Sequence, residues 1–436
     1  VLVGVVNEST LLQKLSSAYE QFAEMPEILN QPKVSLKGRL QNFIAAVEAL
    51  DRPLLLVLDD FEQNIPQSAI ADGTLRPISN ASDVLTALCG ALAAMQQEIS
   101  AISRLIVTCR YACLFPSTLH LERLERMQPA DITKKCQLLP NYKQVSEHPQ
   151  YGRIIAIADG NPRLLEWLLT LLQQPDLTAG LDQAALLHQL EHTEQQFREN
   201  ILAETLLHSL SDTERQFLAQ LSVFQLPVTQ AIVAAVTPDL QPLAKTLALS
   251  LVESATTHAE PEYRVTSILA PLLQSVLSSD QWQTTAAQAA QATHRTWWEA
   301  AETSTEAQRL EIVRLALWGS ETEIAAKIGS VVANTWVNNS RFVEALDLCQ
   351  TILANFTDYR ILGTIALAEE VLGQVEDAAA HYQQALDLCP DEDLKEKSAT
   401  LNNMAQVIAQ QGDIERALDL WQQDLEISEL SLIHIS

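Results

Sequence analysis

Leu54-Leu55-Leu56-Val57-Leu58-Asp59-Asp60 is the stretch of this chain whose residue types most clearly suggest chemistry. Five apolar residues run without alternation into two carboxylates, with Pro53 ahead and Phe61-Glu62-Gln63-Asn64 behind. Such a run predicts a strand buried on both faces of a parallel sheet. Ligand sites of parallel sheets lie outside the carboxyl ends of the strands, where Asp59 and Asp60 fall. Carboxylates placed there can hold magnesium, a hard cation that takes oxygen ligands. They can equally form a solvated turn after a core strand. Glu62 and Asn64 read as turn formers.

Three other stretches carry candidate chemistry. Arg104 to Arg110 reads as a second short buried strand ending in Thr-x-Arg. Gly160-Asn161-Pro162 is a turn between two helical patterns, with Pro162 suited to a helix start. His188-Gln189-Leu190-Glu191-His192 matches a zinc-hydrolase pattern, but it sits in a Gln- and Glu-rich connector with no evident third ligand. Cys109 and Cys113 are four apart, again without a second pair of ligands. The six cysteines are scattered and read as reduced thiols of a cytoplasmic protein.

Composition narrows the function classes. At 436 residues, with 47% apolar and 19% charged residues, the chain has material for about three packed domains. A net charge of −27 argues against nucleic-acid and anionic-membrane surfaces, which need clustered Lys and Arg. No apolar run approaches the ~18 residues of a membrane span.

The elements that must position these residues follow from periodicity. Val1 to Val6 predicts a strand, and Asn7, Ser9 or Thr10 caps a helix carrying Leu11, Leu12, Leu15 and Phe22. Leu36 to Leu50 predicts a second amphipathic helix, 65–80 a loop, and Ser82 to Ile99 a third helix. Strands are expected at 54–60, 104–110 and 119–124, alternating with helices in a parallel α/β layout. After Asp131 the β signal fades into helices, with Ser211-Asp212-Thr213-Glu214 as a capping box. Leu249–Val252 and Tyr263–Thr266 read as a hairpin, so three helices and a hairpin suggest a winged helix. Residues 281–329 read as helical throughout. A repeat then appears: Ala333, Ala366 and Ala405 are each followed twelve residues later by Ala345, Ala378 and Ala417. Gly373 and Gly412 stand five residues before their Ala. This describes antiparallel helix pairs that meet at small residues and must stack on their neighbours.

Residues Val371 to Pro390 resemble a tetratricopeptide repeat, with Ala378, Tyr382, Ala385-Leu386 and Pro390 at the expected places. The first half resembles the signal-transduction ATPases with numerous domains, the class that includes NB-ARC proteins. Leu54 to Asp60 is similar to Walker B, Leu105 to Arg110 to the sensor strand, and Gly160-Asn161-Pro162-Arg163-Leu164-Leu165 to the Gly-x-Pro-Leu motif. The resemblance implies an incomplete P-loop NTPase sheet at 1–130, a helical lid and connector at 131–200 and a winged-helix-like domain at 201–280. A helical linker at 281–330 and a tetratricopeptide solenoid at 331–430 follow, and 431–436 is expected to be a non-native tail. It also implies ATP or ADP with Mg2+. Asp59 would hold the metal, mostly through water, and Asp60 would polarise the attacking water. Arg110 would meet the terminal phosphate, Gly160 would permit the turn, and Pro162 would touch the base.

Two departures stand beside this. No Gly-x-x-x-x-Gly-Lys-Ser/Thr occurs, so the chain is expected to be a fragment whose phosphate loop and its strand precede Val1. Where the class carries a nucleotide-sensing His, this chain has Val265-Thr266-Ser267. The expected function is a cytoplasmic ADP/ATP switch with a partner-sensing repeat region and nucleotide-dependent self-association. The repeats, 331–430, hold five Lys/Arg against eighteen Asp/Glu, which favours a basic peptide or protein partner. A non-catalytic repeat scaffold with a degenerate nucleotide domain, and a large ATP-dependent transcriptional regulator, are the alternatives. The segment 201–280 carries three Lys/Arg against eight Asp/Glu, which argues against DNA binding by it.

Phosphate loops supply several charge-assisted hydrogen bonds of about 1.5–3 kcal/mol each, whereas a micromolar ligand is held by only about 8 kcal/mol in all. This exact chain is therefore expected to bind ATP very weakly and not to hydrolyse it. Calorimetric titration with Mg-ATP checks this, and micromolar affinity would refute it.

Overall fold

A computed structural model describes residues 1–19, 21–22, 24–31, 33–66, 75–109, 111, 113, 115, 119–122, 125–138, 142–173, 181–237, 239–255, 260–300 and 304–433. The chain forms two compact units, one of Val1–Glu122 with Ala326–Ser436 and one of Arg123–Ala325. Among the described residues no helix is long and apolar enough to cross a membrane.

The first unit opens with β1 (Leu2–Val3), α1 (Glu8–Ala18), α2 (Glu24–Leu29) and α3 (Leu36–Ala49). β2 (Leu55–Asp59), a 3-10 turn (Phe61–Asn64), α4 (Ser79–Ile99) and β3 (Arg104–Val107) follow. The strands pair in parallel in the order β1-β2-β3, with Leu2 beside Leu58 and Leu58 beside Val107. Asn7 caps α1 in a reciprocal box with Thr10, and α4 begins three residues before the expected Ser82. Leu54, Leu56 and Leu58 enter a core with Phe43, Ile44, Val47, Leu85 and Leu88.

The expectation of a strand buried on both faces is corrected. Leu55 is 61% exposed, and Val3 and Ile106, on the same face of the sheet, are 50% and 47% exposed. Among the described residues the helical cover lies on one face only, so the unbroken apolar run does not mean two-sided burial here. The strand expected at 119–124 is also absent, since 119–122 are irregular and 123–124 lie outside the described residues.

The second unit begins with α5 (Pro129–Gln137), α6 (Tyr142–Ser146), α7 (Tyr151–Ala158), α8 (Pro162–Gln173), α9 (Gln183–Glu191) and α10 (Gln195–Ser209). It continues with α11 (Asp212–Leu221), β4 (Val228–Thr229), α12 (Gln230–Val236), α13 (Gln241–Ala248), β5 (Val252–Ala255) and β6 (Glu262–Val265). These strands form an antiparallel sheet ordered β4-β6-β5. The expected hairpin is present but begins three residues late. Leu249 to Leu251 complete the turn after α13, with Ser250 at φ 54°. β4 was not expected, because two residues are too short to show a period.

Helices α14 (Ala270–Leu273), α15 (Ser279–Thr293) with a π-helical turn at His294–Glu299, and α16 (Glu306–Trp318) close the unit. The segment expected to be helical throughout is thus broken at the turns before α16 and after it. At the second turn the backbone comes so close that a Cβ on Gly319 would lie 2.3 Å from the Ala287 nitrogen.

Antiparallel helices then stack: α17 (Thr322–Asn338), α18 (Phe342–Leu353), α19 (Tyr359–Val371), α20 (Val375–Leu388), α21 (Leu394–Gln410) and α22 (Ile414–Ile433). The six alanines read from the sequence, at 333, 345, 366, 378, 405 and 417, are all buried. Each turn closes alike: the N–H of Arg341, Gln374 and Asp413 donates to the carbonyl five residues back, at 2.8, 2.8 and 3.2 Å. The residue before each is left-handed, Gly373 and Gly412 in two turns but Ser340, at φ 58°, in the first.

The first repeat helices also join the core of β1–β3. Val343 donates its N–H to Asn30 Oδ1 at 3.0 Å and packs against that core. Beside it Arg341 Nε donates to Glu344 Oε1 at 3.1 Å, and its guanidinium carbon lies 4.6 Å from the Trp336 ring centroid. Both charged residues are buried, 4% and 0% exposed. Burial outweighs Arg341 and keeps the Glu344 carboxyl above the usual carboxylate range.

Left-handed backbone costs a residue with a Cβ more than it costs glycine. Ser340→Gly is expected to raise stability by about 0.5–1 kcal/mol, measured by urea unfolding. Glu344→Ala removes the carboxyl partner of a buried guanidinium and is expected to cost about 3–5 kcal/mol by the same measurement.

Candidate functional site

At the carboxyl end of β2 the ladder must stop without orphaning its polar groups. Thr108, just past β3, solves this. Its N–H donates to Leu58 O at 2.9 Å, and its carbonyl accepts Phe61 N–H at 3.0 Å. Its hydroxyl accepts Asp60 N–H at 3.2 Å and donates to Asp59 Oδ1 at 2.5 Å. Asp60 takes a left-handed conformation, φ 54°, which turns the chain sharply into the 3-10 helix. Aspartate tolerates this region better than most residues with a Cβ.

Asn64 holds the other side. Fully buried, it accepts Val6 N–H at 2.7 Å and donates to Gly4 O at 3.0 Å and Phe61 O at 3.1 Å. Gly4 N–H donates to Asp59 O at 2.9 Å. The turn-forming role read for Asn64 is therefore joined by a tertiary one, binding the exit of β1 to the exit of β2. Gly4 sits at φ +88°, and a Cβ there would meet Gln63 Oε1 at 2.9 Å.

Both carboxylates are half-buried. One oxygen of Asp59 is taken by Thr108, and its second oxygen accepts no hydrogen bond among the described residues. This leaves an oxygen ligand for a hard cation beside a fixed one. Arg110 lies outside the described residues. The sequence marked Asn64 as a turn former and Thr108 as the end of an apolar strand, but neither as a residue that pairs the backbone of its neighbours. The one available signal was a hydroxyl residue ending the neighbouring apolar strand.

Gly160 and Pro162 lie in the other unit. Gly160, at φ +80°, faces the backbone of Arg126 and Met127. A Cβ there would lie 2.8 Å from the Met127 nitrogen, while Met127 N–H donates to Gly160 O at 3.2 Å. Asn161 caps α8 by accepting the N–H groups of Arg163 and Leu164 at 3.0 and 2.9 Å. Pro162 is the first residue of that helix and is exposed. Helix α8 is held to β5 and its approach by Trp167 Nε1 donating to Ser250 O at 3.3 Å and by Arg163 with Glu253 at 3.0 Å.

The zinc-hydrolase pattern finds no support. His188 and His192 stack with centroids 4.3 Å apart, and His192 Nδ1 contacts His188 O at 2.8 Å. Among the described residues no three His, Cys, Asp or Glu side chains group as metal ligands do.

Asn64→Ala leaves Val6 N–H and Gly4 O buried without a partner. It is expected to lower stability by about 2–3 kcal/mol. Thr108→Val, which keeps shape and removes the hydroxyl, is expected to cost about 1–2 kcal/mol. Differential scanning calorimetry checks both.

No protein-family model matches the chain, and no curated protein matches it. Solved structures do. One is the crystal structure of the signal transduction ATPase with numerous domains (STAND) with a tetratricopeptide repeat sensor from Pyrococcus horikoshii, at TM-score 0.59 and 16% identity. The match covers 98% of this chain and 57% of that one, so the chain spans little more than half the length of the protein it matches. An α/β portion with a small parallel sheet, followed by helices and a helical solenoid, gives this chain the fold of a STAND protein with a tetratricopeptide repeat sensor.

Proposed function

We propose that this fold serves a nucleotide-dependent signalling switch, with ADP or ATP and Mg2+ read beside β2 and a protein partner read by the helix pairs. The observation that carries the reading is the Asp59–Asp60 pair at the carboxyl end of β2, clamped by the Thr108 hydroxyl of the neighbouring strand. In this reading Asp59 holds magnesium, mostly through water. With nucleotide bound, Asp60 would polarise the attacking water and Arg110 would balance charge on the terminal phosphate. When bound, the nucleotide supplies the transferable phosphoryl group, and these side chains orient and hold it.

The segment 201–280 supports a winged-helix assignment by its order of helix, strand, two helices and hairpin. Its net negative charge favours an intramolecular role over DNA. The repeats' excess of carboxylates favours a basic partner. A reducing cytoplasm suits free thiols. The solved STAND structure, described as an ATPase with a repeat sensor, lends the reading its general kind.

A second reading, a non-catalytic scaffold, is favoured by one observation. Where a nucleotide-sensing His is expected, Thr266 is buried and donates its hydroxyl to Ser250 O at 3.2 Å. It is committed to the turn before β5.

Light scattering on the product of the complete gene separates the readings. The switch predicts larger assemblies with a non-hydrolysable ATP analogue than with ADP, lost in Asp59→Ala. Asp60→Ala is expected to lower hydrolysis about a hundredfold or more. Assembly indifferent to nucleotide would favour the scaffold.

A further inference from the structure

Cys113 N–H donates to Tyr111 O at 2.9 Å, and Phe115 N–H donates to Cys113 O at 3.0 Å. These short closures bring Cys113 Sγ to 3.3 Å from Cys109 Sγ. The sulfurs are thus in contact, about 1.3 Å beyond a covalent S–S bond. Ile65, Tyr111 and Phe115 wall the pair, and Phe115 packs on Phe61 with centroids 5.7 Å apart. Cys113 is buried and Cys109 half-buried, so one sulfur is reachable and the other waits behind it.

We propose that Cys109 and Cys113 are a reversible thiol–disulfide site that reacts with low-molecular-weight disulfides of the glutathione class. Deprotonated Cys109 attacks one sulfur of the disulfide RSSR. The S–S bond breaks, and RS⁻ leaves and takes up a proton as RSH. Cys113 then loses its proton to solvent and attacks Cys109 Sγ, expelling the second RS⁻, which is likewise protonated. Two protein thiols and one RSSR become one protein disulfide and two RSH, a two-electron oxidation of the protein matched by reduction of RSSR. The hydrogen bond to Cys109, and then burial, raise the Cys113 thiol well above its usual range. In the reduced pair Cys113 is therefore the sulfur that keeps its proton, which leaves the first attack to Cys109. Thr108, adjacent to Cys109, is the residue that clamps Asp59 and Asp60, so closing the site tethers the chain next to that clamp. The proposal itself needs no nucleotide.

Trypsin supplies the test, because it cuts at Arg110, between the two cysteines in sequence. The folded full chain is equilibrated with oxidised glutathione, alkylated and digested. Peptides Leu105–Arg110 and Tyr111–Arg123 are expected to stay linked in most molecules, and to separate when the protein is first returned to excess reduced glutathione. Cys113→Ser is expected to stop at a glutathione adduct on Cys109. Separate, fully alkylated peptides after oxidation of the wild-type chain overturn the proposal. So does an adduct on Cys109 that never resolves, or an oxidised Cys109 linked instead to another cysteine.

Discussion

A buried strand has to end somewhere, and the polar groups it exposes there must be paired. In this chain Thr108 and Asn64 supply most of the pairing at the end of β2, one from the adjacent strand and one from the following turn. The apolar core beneath Leu54, Leu56 and Leu58 supplies the drive to form the sheet. It does not say how the chain should leave it. That is decided by a hydroxyl and an amide, which fix the direction of two carboxylates as a by-product of satisfying backbone.

The parts of the fold legible from sequence are those in which a local period or a volume limit acts alone. Leu54 to Asp59 reads as a strand because its short run of large apolar residues is bounded by Pro53 on one side and by Asp59-Asp60 on the other. The helix pairs read from their alanines because two helices crossing closely leave room for nothing larger, and all six positions are buried. The expectations that failed depended on distant neighbours. Whether Leu55 is covered depends on which helices lie over the sheet, and residue 55 carries no mark of that. β4 exists because β6 lies beside Val228 and Thr229. Thr108 and Asn64 look like ordinary strand-end and turn residues until the strands are paired.

Gly160 shows a different kind of legibility. Its identity is forced twice, by a left-handed backbone and by the approach of Met127. Either cause alone would mark it as a turn glycine. Only the structure reveals that the turn is packed against a second segment, so that the start of α8 is positioned by chain more than thirty residues upstream.

The buried pair Arg341–Glu344 sets a limit on how this architecture can vary. Stacked helix pairs lengthen readily at a free end, since each new pair needs only the face of the last. The first pair here is different. It carries two charges that are tolerable because they meet each other, with Asn30 alongside to take the Val343 N–H. A generic repeat spliced into that place would bring neither charge, although any residue but proline at 343 would still offer Asn30 a backbone N–H. The first pair is tied to the segment around Asn30 by that hydrogen bond and to the core of the sheet by Val343, so a change there is felt in the sheet itself.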